Sequence, residues 1–137
     1  MNQTERRIYL IKELQKDKSQ LSHYKIPEDE QGQKDLLRGL MNIWMPKPIS
    51  EEYLRIESEY LIAESKARGI TSISDLTPVE KDLYLWQGDI TTLECDAVVN
   101  AANSQMLGCW RILHNCIDNA IPCSITHRHT TSFKASA

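Results

Sequence analysis

The first 94 of the 137 residues contain no cysteine. Thiol chemistry, disulfides and cysteine-bound metals are therefore excluded from the front of the chain. The sequence also lacks a run of about 20 apolar residues, so no segment is patterned to span a bilayer as a helix. Its opening, MNQTERRIYLIKELQ, is charged and helix-periodic. It has neither the apolar core nor the small-residue cleavage site of a signal peptide. These absences lead to the expectation of a cytoplasmic protein with no membrane partner. Basic charge is not in excess either: 19 acidic residues against 16 basic ones leave a net charge of −3. A dedicated nucleic-acid binder presents a strongly basic face, so no nucleic-acid partner is expected. Internal repeats and low-complexity segments are absent.

What the front does have is apolar residues at helical spacing. A helix is predicted over residues 4–18, with Ile8, Ile11 and Leu14, joined by Tyr9 and Leu10, on its apolar side. Arg6, Arg7, Lys12, Glu13 and Lys16 are expected to face water. Pro27 disfavours a helical Ile26. A second helix follows over residues 30–44, with Leu36, Leu37, Leu40, Met41 and Trp44 as its stripe. Met45-Pro46-Lys47-Pro48 ends it. Ser50 reads as an N-cap, with Glu51 and Glu52 where the helix dipole favours anions. Tyr53, Leu54, Glu57, Tyr60, Leu61 and Glu64 carry a third helix to about Arg68, and Gly69 suits its C-terminal end. Packing core is the simple reading of these stripes, and nothing in the first 75 residues names an activity.

From Leu76 the pattern changes. Leu83–Gln87 and Asp96–Val99 are short apolar runs that read as strands. They are expected to run parallel, or nearly so, in a sheet covered on both faces.

The chemistry-bearing residues crowd into Gly88–Asn119. Asp89 follows a strand candidate and reads as a pocket-rim carboxylate or as a turn or cap residue. Asn100-Ala101-Ala102-Asn103 combines small residues, which let the backbone approach a ligand, with two amides that donate and accept. The alternative for it is a polar turn. Cys109, His114 and Cys116 have the spacing C-x4-H-x-C. Sulfur and imidazole nitrogen are zinc donors, and three ligands with an open position is the catalytic pattern. A fourth ligand, from Cys95, Cys123, His127 or His129, would make the site structural. Unligated thiols are the remaining alternative. Asp118 reads as a general base or as a helix cap.

Taken in order, GDIT, DAVVNAAN, MLGC and H-x-C-I-D-N resemble the macrodomain family, and within it the zinc-containing bacterial branch that removes ADP-ribose from proteins. The resemblance covers roughly residues 1–121. It implies an α/β fold: an incomplete three-layer α/β/α macrodomain over 76–121, preceded by a helical N-terminal extension over 1–75. It further implies that Asp89 binds the adenine amino group with Ile90 beside the base, and that Asn103 hydrogen-bonds the distal ribose. Cys109, His114 and Cys116 would hold Zn²⁺ near that ribose, and Asp118 would act at the scissile bond. Asn100 would serve the loop more than the ligand. The implied substrates are ADP-ribosylated proteins, with the modification ester-linked on Asp or Glu.

The chain departs from the family after Ile121. Pro122 disfavours a continuing helix, and the last 15 residues have no acidic residue and no clear period. Residues 122–137 are expected to form an aberrant, disordered tail on a truncated copy, weakly active or inactive as it stands. The alternative functions are a non-catalytic ADP-ribose-binding or degenerate chain with a structural zinc site, and a structural zinc knuckle for a partner or single-stranded nucleic acid, against which the spacing and the acidic balance argue.

Overall fold

A computed structural model describes residues 1–16, 21–45, 47–104 and 108–124. Helix α1 (Gln3–Gln15) starts at a reciprocal cap. The Asn2 side chain accepts from the Glu5 N–H at 2.9 Å, and the Glu5 carboxylate accepts from the Asn2 N–H at 2.9 Å. Helix α2 (Glu30–Asn42) starts where the Asp29 carboxylate accepts from the Gly32 N–H at 2.7 Å. Helix α3 (Glu51–Arg68) starts at Ser50, whose hydroxyl accepts from the Tyr53 N–H at 3.1 Å. It stops at Gly69, whose φ of 91° lies in the left-handed region that glycine enters without a Cβ penalty.

The three helices share one core. Leu10, Ile11 and Leu14 of α1 meet Leu36, Leu37, Leu40 and Met41 of α2 and Tyr53, Ile56, Tyr60 and Leu61 of α3. One expectation fails here. Arg7, assigned to the water side, is only 2% exposed. The buried stripe of α1 runs 7-10-11-14, and Arg7 occupies its first position. Its guanidinium is satisfied inside, with Nε donating to Gln33 Oε1 at 3.0 Å and Nη1 to Glu30 Oε1 at 3.4 Å. Long stems bury readily when the charged head finds partners.

The sheet structure is sparse. Strand β1 (Thr71–Ser72) pairs in parallel with β4 (Leu93–Glu94). Strand β2 (Pro78–Glu80) pairs antiparallel with β3 (Leu83–Tyr84). The expected strand at 83–87 is thus shortened to two residues, and its partner lies in a local hairpin. Asp82 turns that hairpin at a φ of 61°. The apolar run Asp96–Val99 forms no strand, and Val99 is 95% exposed. An apolar run becomes a strand only when a neighbour takes its backbone hydrogen bonds, and among the described residues this run has none. Among the described residues the result is a mixed α/β arrangement of helices with two small sheets.

Helix α4 (Ile117–Ser124) packs against α2 and passes through Pro122, three residues beyond the expected stop at Ile121. No helix among the described residues is long and apolar enough to cross a membrane. The remainder of the expected tail, with His127 and His129, lies outside the described residues, as do Met106 and Leu107 of the MLGC motif.

Candidate functional site

Three ligand-type side chains converge where the chain turns back toward α2. The Cys109 and Cys116 sulfurs and a His114 ring nitrogen all lie within 4.8 Å of one another. Cys109 Sγ and His114 Nδ1 are 3.4 Å apart. Around a zinc ion with bonds of about 2.3 Å to sulfur and 2.0 Å to nitrogen, tetrahedral neighbours sit roughly 3.5 Å apart. The donor set and its spacing therefore fit such an ion, and each of the three residues is half-buried. Of the four further donors named from sequence, Cys95 is exposed and stands outside the cluster, as does Cys123. The other two, His127 and His129, fall outside the described residues.

Beside this cluster sits an amide–carboxylate group. Asp118, in the first turn of α4, accepts from Asn100 Nδ2 at 3.4 Å on one oxygen. On the other oxygen it accepts from Asn103 Nδ2 at 3.1 Å and from the Asn103 N–H at 3.4 Å. Asn103 Nδ2 also donates to the carbonyl of Gly108, the residue before Cys109, at 2.8 Å. One amide thus links the polar turn, the helix carboxylate and the start of the Cys/His loop. Asn100 Oδ1 is buried without a hydrogen-bond partner among the described residues. Such an acceptor costs about 1–3 kcal/mol.

Asp89 lies apart from that group. It caps the 3₁₀ turn Ile90–Thr92, its Oδ1 accepting from the Thr91 N–H at 2.9 Å and the Thr91 hydroxyl at 2.7 Å. Arg68 Nη1 stands 3.4 Å from its other oxygen. The Thr91 hydroxyl, then the Thr91 N–H and the Arg68 charge, hold the Asp89 carboxyl below its ordinary range. Ile90 is half-buried at the start of the turn. Asp89 and Thr91 share a groove of about 480 Å³ with Lys34, Arg38, Cys116 and Cys123. Cys116 is therefore the residue common to the Cys/His cluster and to the groove that reaches Asp89.

Sequence reasoning missed Asn42, Asn119 and Arg38. Asn119 is 2% exposed, and its Nδ2 donates to Asn42 Oδ1 at 2.7 Å and to the His114 carbonyl at 2.9 Å. Asn42 Nδ2 donates to the Cys109 carbonyl. Arg38 Nη2 donates to the His114 carbonyl and to Asn115 Oδ1, both at 3.2 Å. The available signal was an amide directly after Met41 in the apolar stripe of α2, and a second amide four residues before Cys123 on a short helix.

The chain matches no protein-family model. It is similar to a protein-ADP-ribose hydrolase of Treponema medium, with 50% identity over 125 residues, covering 88% of this chain and 48% of that one. A protein-ADP-ribose hydrolase of Staphylococcus aureus strain MRSA252 is 39% identical over 114 residues, covering 82% of this chain and 42% of that one. A probable bifunctional ADP-ribose hydrolase/ADP-ribosyltransferase of Fusarium oxysporum f. sp. cubense is 36% identical over 119 residues, covering 77% of this chain and 20% of that one. The chain spans about half the length of the bacterial relatives it matches.

Proposed function

Starting from its kinship with bacterial protein-ADP-ribose hydrolases, we propose that this chain carries the N-terminal part of a zinc-containing macrodomain hydrolase acting in the cytoplasm. Residues 76–121 are then the first part of a three-layer α/β/α macrodomain, and residues 1–75 its helical extension. The substrates are proteins bearing ADP-ribose, ester-linked through Asp or Glu. The reaction is hydrolysis of the bond between the distal ribose and the modified side chain.

The observation that carries this reading is the junction at Asn103. Its amide joins Asp118 at 3.1 Å to the Gly108 carbonyl at 2.8 Å, next to Cys109. A ribose hydroxyl recognised by Asn103 would therefore lie close both to a carboxylate and to the S₂N donor set. Asp118, oriented by two amides, is the group to position or deprotonate the attacking water. Cys109, His114 and Cys116 would hold Zn²⁺, which when bound supplies Lewis acidity beside the ribose. Asp89, which lines the groove, would accept from the adenine amine, with Ile90 beside the base.

The test is release of ADP-ribose from a protein modified on Glu or Asp, followed by mass spectrometry. The expected result is weak release by the wild-type chain, lost in Asn103→Ala and in Cys116→Ala. A second reading, an ADP-ribose-binding chain with a structural zinc site and no turnover, is favoured by the chain's spanning about half of its relatives. Heat of ADP-ribose binding without release of product would select it. Neither heat nor release would overturn both.

A further inference from the structure

We infer that Asn42, Asn119 and Arg38 are positioning residues for the Cys/His cluster. On this inference α2, in the helical front, shapes a metal site whose ligands all come from the back of the chain. The inference rests on the metal reading proposed above.

The hydrogen bonds fix the backbone at each of the three ligand residues. The Cys109 carbonyl accepts from Asn42 Nδ2. The His114 carbonyl accepts from Asn119 Nδ2 at 2.9 Å and from Arg38 Nη2 at 3.2 Å. The Cys116 carbonyl accepts from the N–H groups of Asn119 at 3.1 Å and Ala120 at 2.9 Å, as α4 begins. Asn119 Nδ2 also donates to Asn42 Oδ1 at 2.7 Å, so the two amides act as one clamp between α2 and α4. Asn119 Oδ1 in turn accepts from the Cys123 thiol at 3.3 Å.

The loop needs such a clamp. Leu113, immediately before His114, has a φ of 57°. A bulky side chain in the left-handed region costs roughly 1–2 kcal/mol, and it persists only where the surroundings over-determine it. Burial makes the clamp stiff, because water cannot replace its bonds and a broken one leaves an unpaired polar group. The surface of α2 is shaped for the loop as well. A Cβ at Gly39 would stand 3.3 Å from Ile112 Cγ2 and 3.1 Å from Leu21 Cδ1, so the missing side chain lets the loop lie close to the helix.

Two nearly isosteric substitutions separate the bonds. Asn119→Asp removes every donor of that side chain without changing its volume. Asn42→Asp removes the bond to the Cys109 carbonyl but keeps an acceptor for Asn119. The experiment titrates the full 137-residue chain with Co²⁺, reading thiolate charge-transfer and d–d bands, then displaces Co²⁺ with Zn²⁺ against a chromogenic chelator. Helicity and the thermal midpoint are recorded for every variant. The expected result is metal affinity weakened by about 10–100-fold, the size found for groups that orient metal ligands, with shifted d–d bands and the helical signal retained. Arg38→Met, which touches one of the same carbonyls from the rim, gives a smaller loss in the same direction and carries the test if Asn119→Asp unfolds. Variants that bind cobalt with wild-type affinity and wild-type bands would overturn the inference while leaving the metal reading intact. A wild-type chain that binds no cobalt would overturn both.

Discussion

At pH 8 the thiol of Cys123 should be alkylated about a hundred times more slowly than an ordinary cysteine. Burial against the helical core, only partly offset by the Arg38 charge, raises its pKa from 9.0 to about 11. Each unit is a factor of ten in thiolate below the pKa, and the thiolate is the nucleophile. The two-unit rise thus removes about 99% of the reactive form before steric shielding is counted. The same shift is a stability statement. The fold favours the protonated thiol, so the contribution is full below pH 9 and is lost as pH rises toward 11. Two units correspond to about 3 kcal/mol. The assay is pulse labelling with iodoacetamide across pH 7–11, with the Cys123 peptide quantified by mass spectrometry. Exposed Cys95 serves as the internal comparison, and a urea-unfolded sample supplies the unprotected rate. In the native chain the Cys123 rate should climb about tenfold per pH unit up to pH 10. Labelling at pH 8 within tenfold of the unfolded rate would refute the argument, because it would require a solvated, ordinary thiol.

Leu10→Ala should destabilise the helical front by about 3 kcal/mol, since Leu10 is fully buried and the change leaves a cavity. Calorimetry should show a midpoint lowered on the order of 10 °C, and a drop of a degree or two would mean that the site collapses freely. Ser50→Ala should cost about 1 kcal/mol in urea denaturation through loss of the α3 cap at the Tyr53 N–H. Asp89→Ala should weaken ADP-ribose binding by roughly tenfold or more, the value of a hydrogen bond to a charged group, as read by calorimetry. Because the Asp89 carboxyl lies below its ordinary range, its charge is present from neutral pH down to the acid side of that range. Wild-type affinity should therefore show no loss from this group between pH 5 and 8, and unchanged binding in Asp89→Ala would remove it from the adenine end.

The helical front was legible because its signals were local. Ser50 and Gly69 marked the ends of α3, and the leucines of α2 repeated at helical spacing. Arg7 was misread because a charged residue at the head of an apolar stripe looks like surface until its partners, Gln33 and Glu30, are known. The strands were less legible. Thr71–Ser72 and Leu93–Glu94 are too short and polar to stand out, yet they pair. The more apolar Asp96–Val99 does not, since pairing is a property of neighbours rather than of the run. At the site, C-x4-H-x-C named side chains that do converge. The spacing held no trace of Asn42, because the bond that makes it relevant joins residues 67 apart in sequence.

That separation also sets an order of events during synthesis. Asn42 and Asn119 are 77 residues apart. At about 5–20 residues per second, α2 leaves the ribosome roughly 4–15 seconds before the amide that closes the clamp. The helices whose contacts are local have that interval in which to pack, before any of Cys109, His114 and Cys116 has been made in full company. On that timetable Gly39 and Asn42, the groups of α2 that meet the loop, are made before any of the three ligand residues.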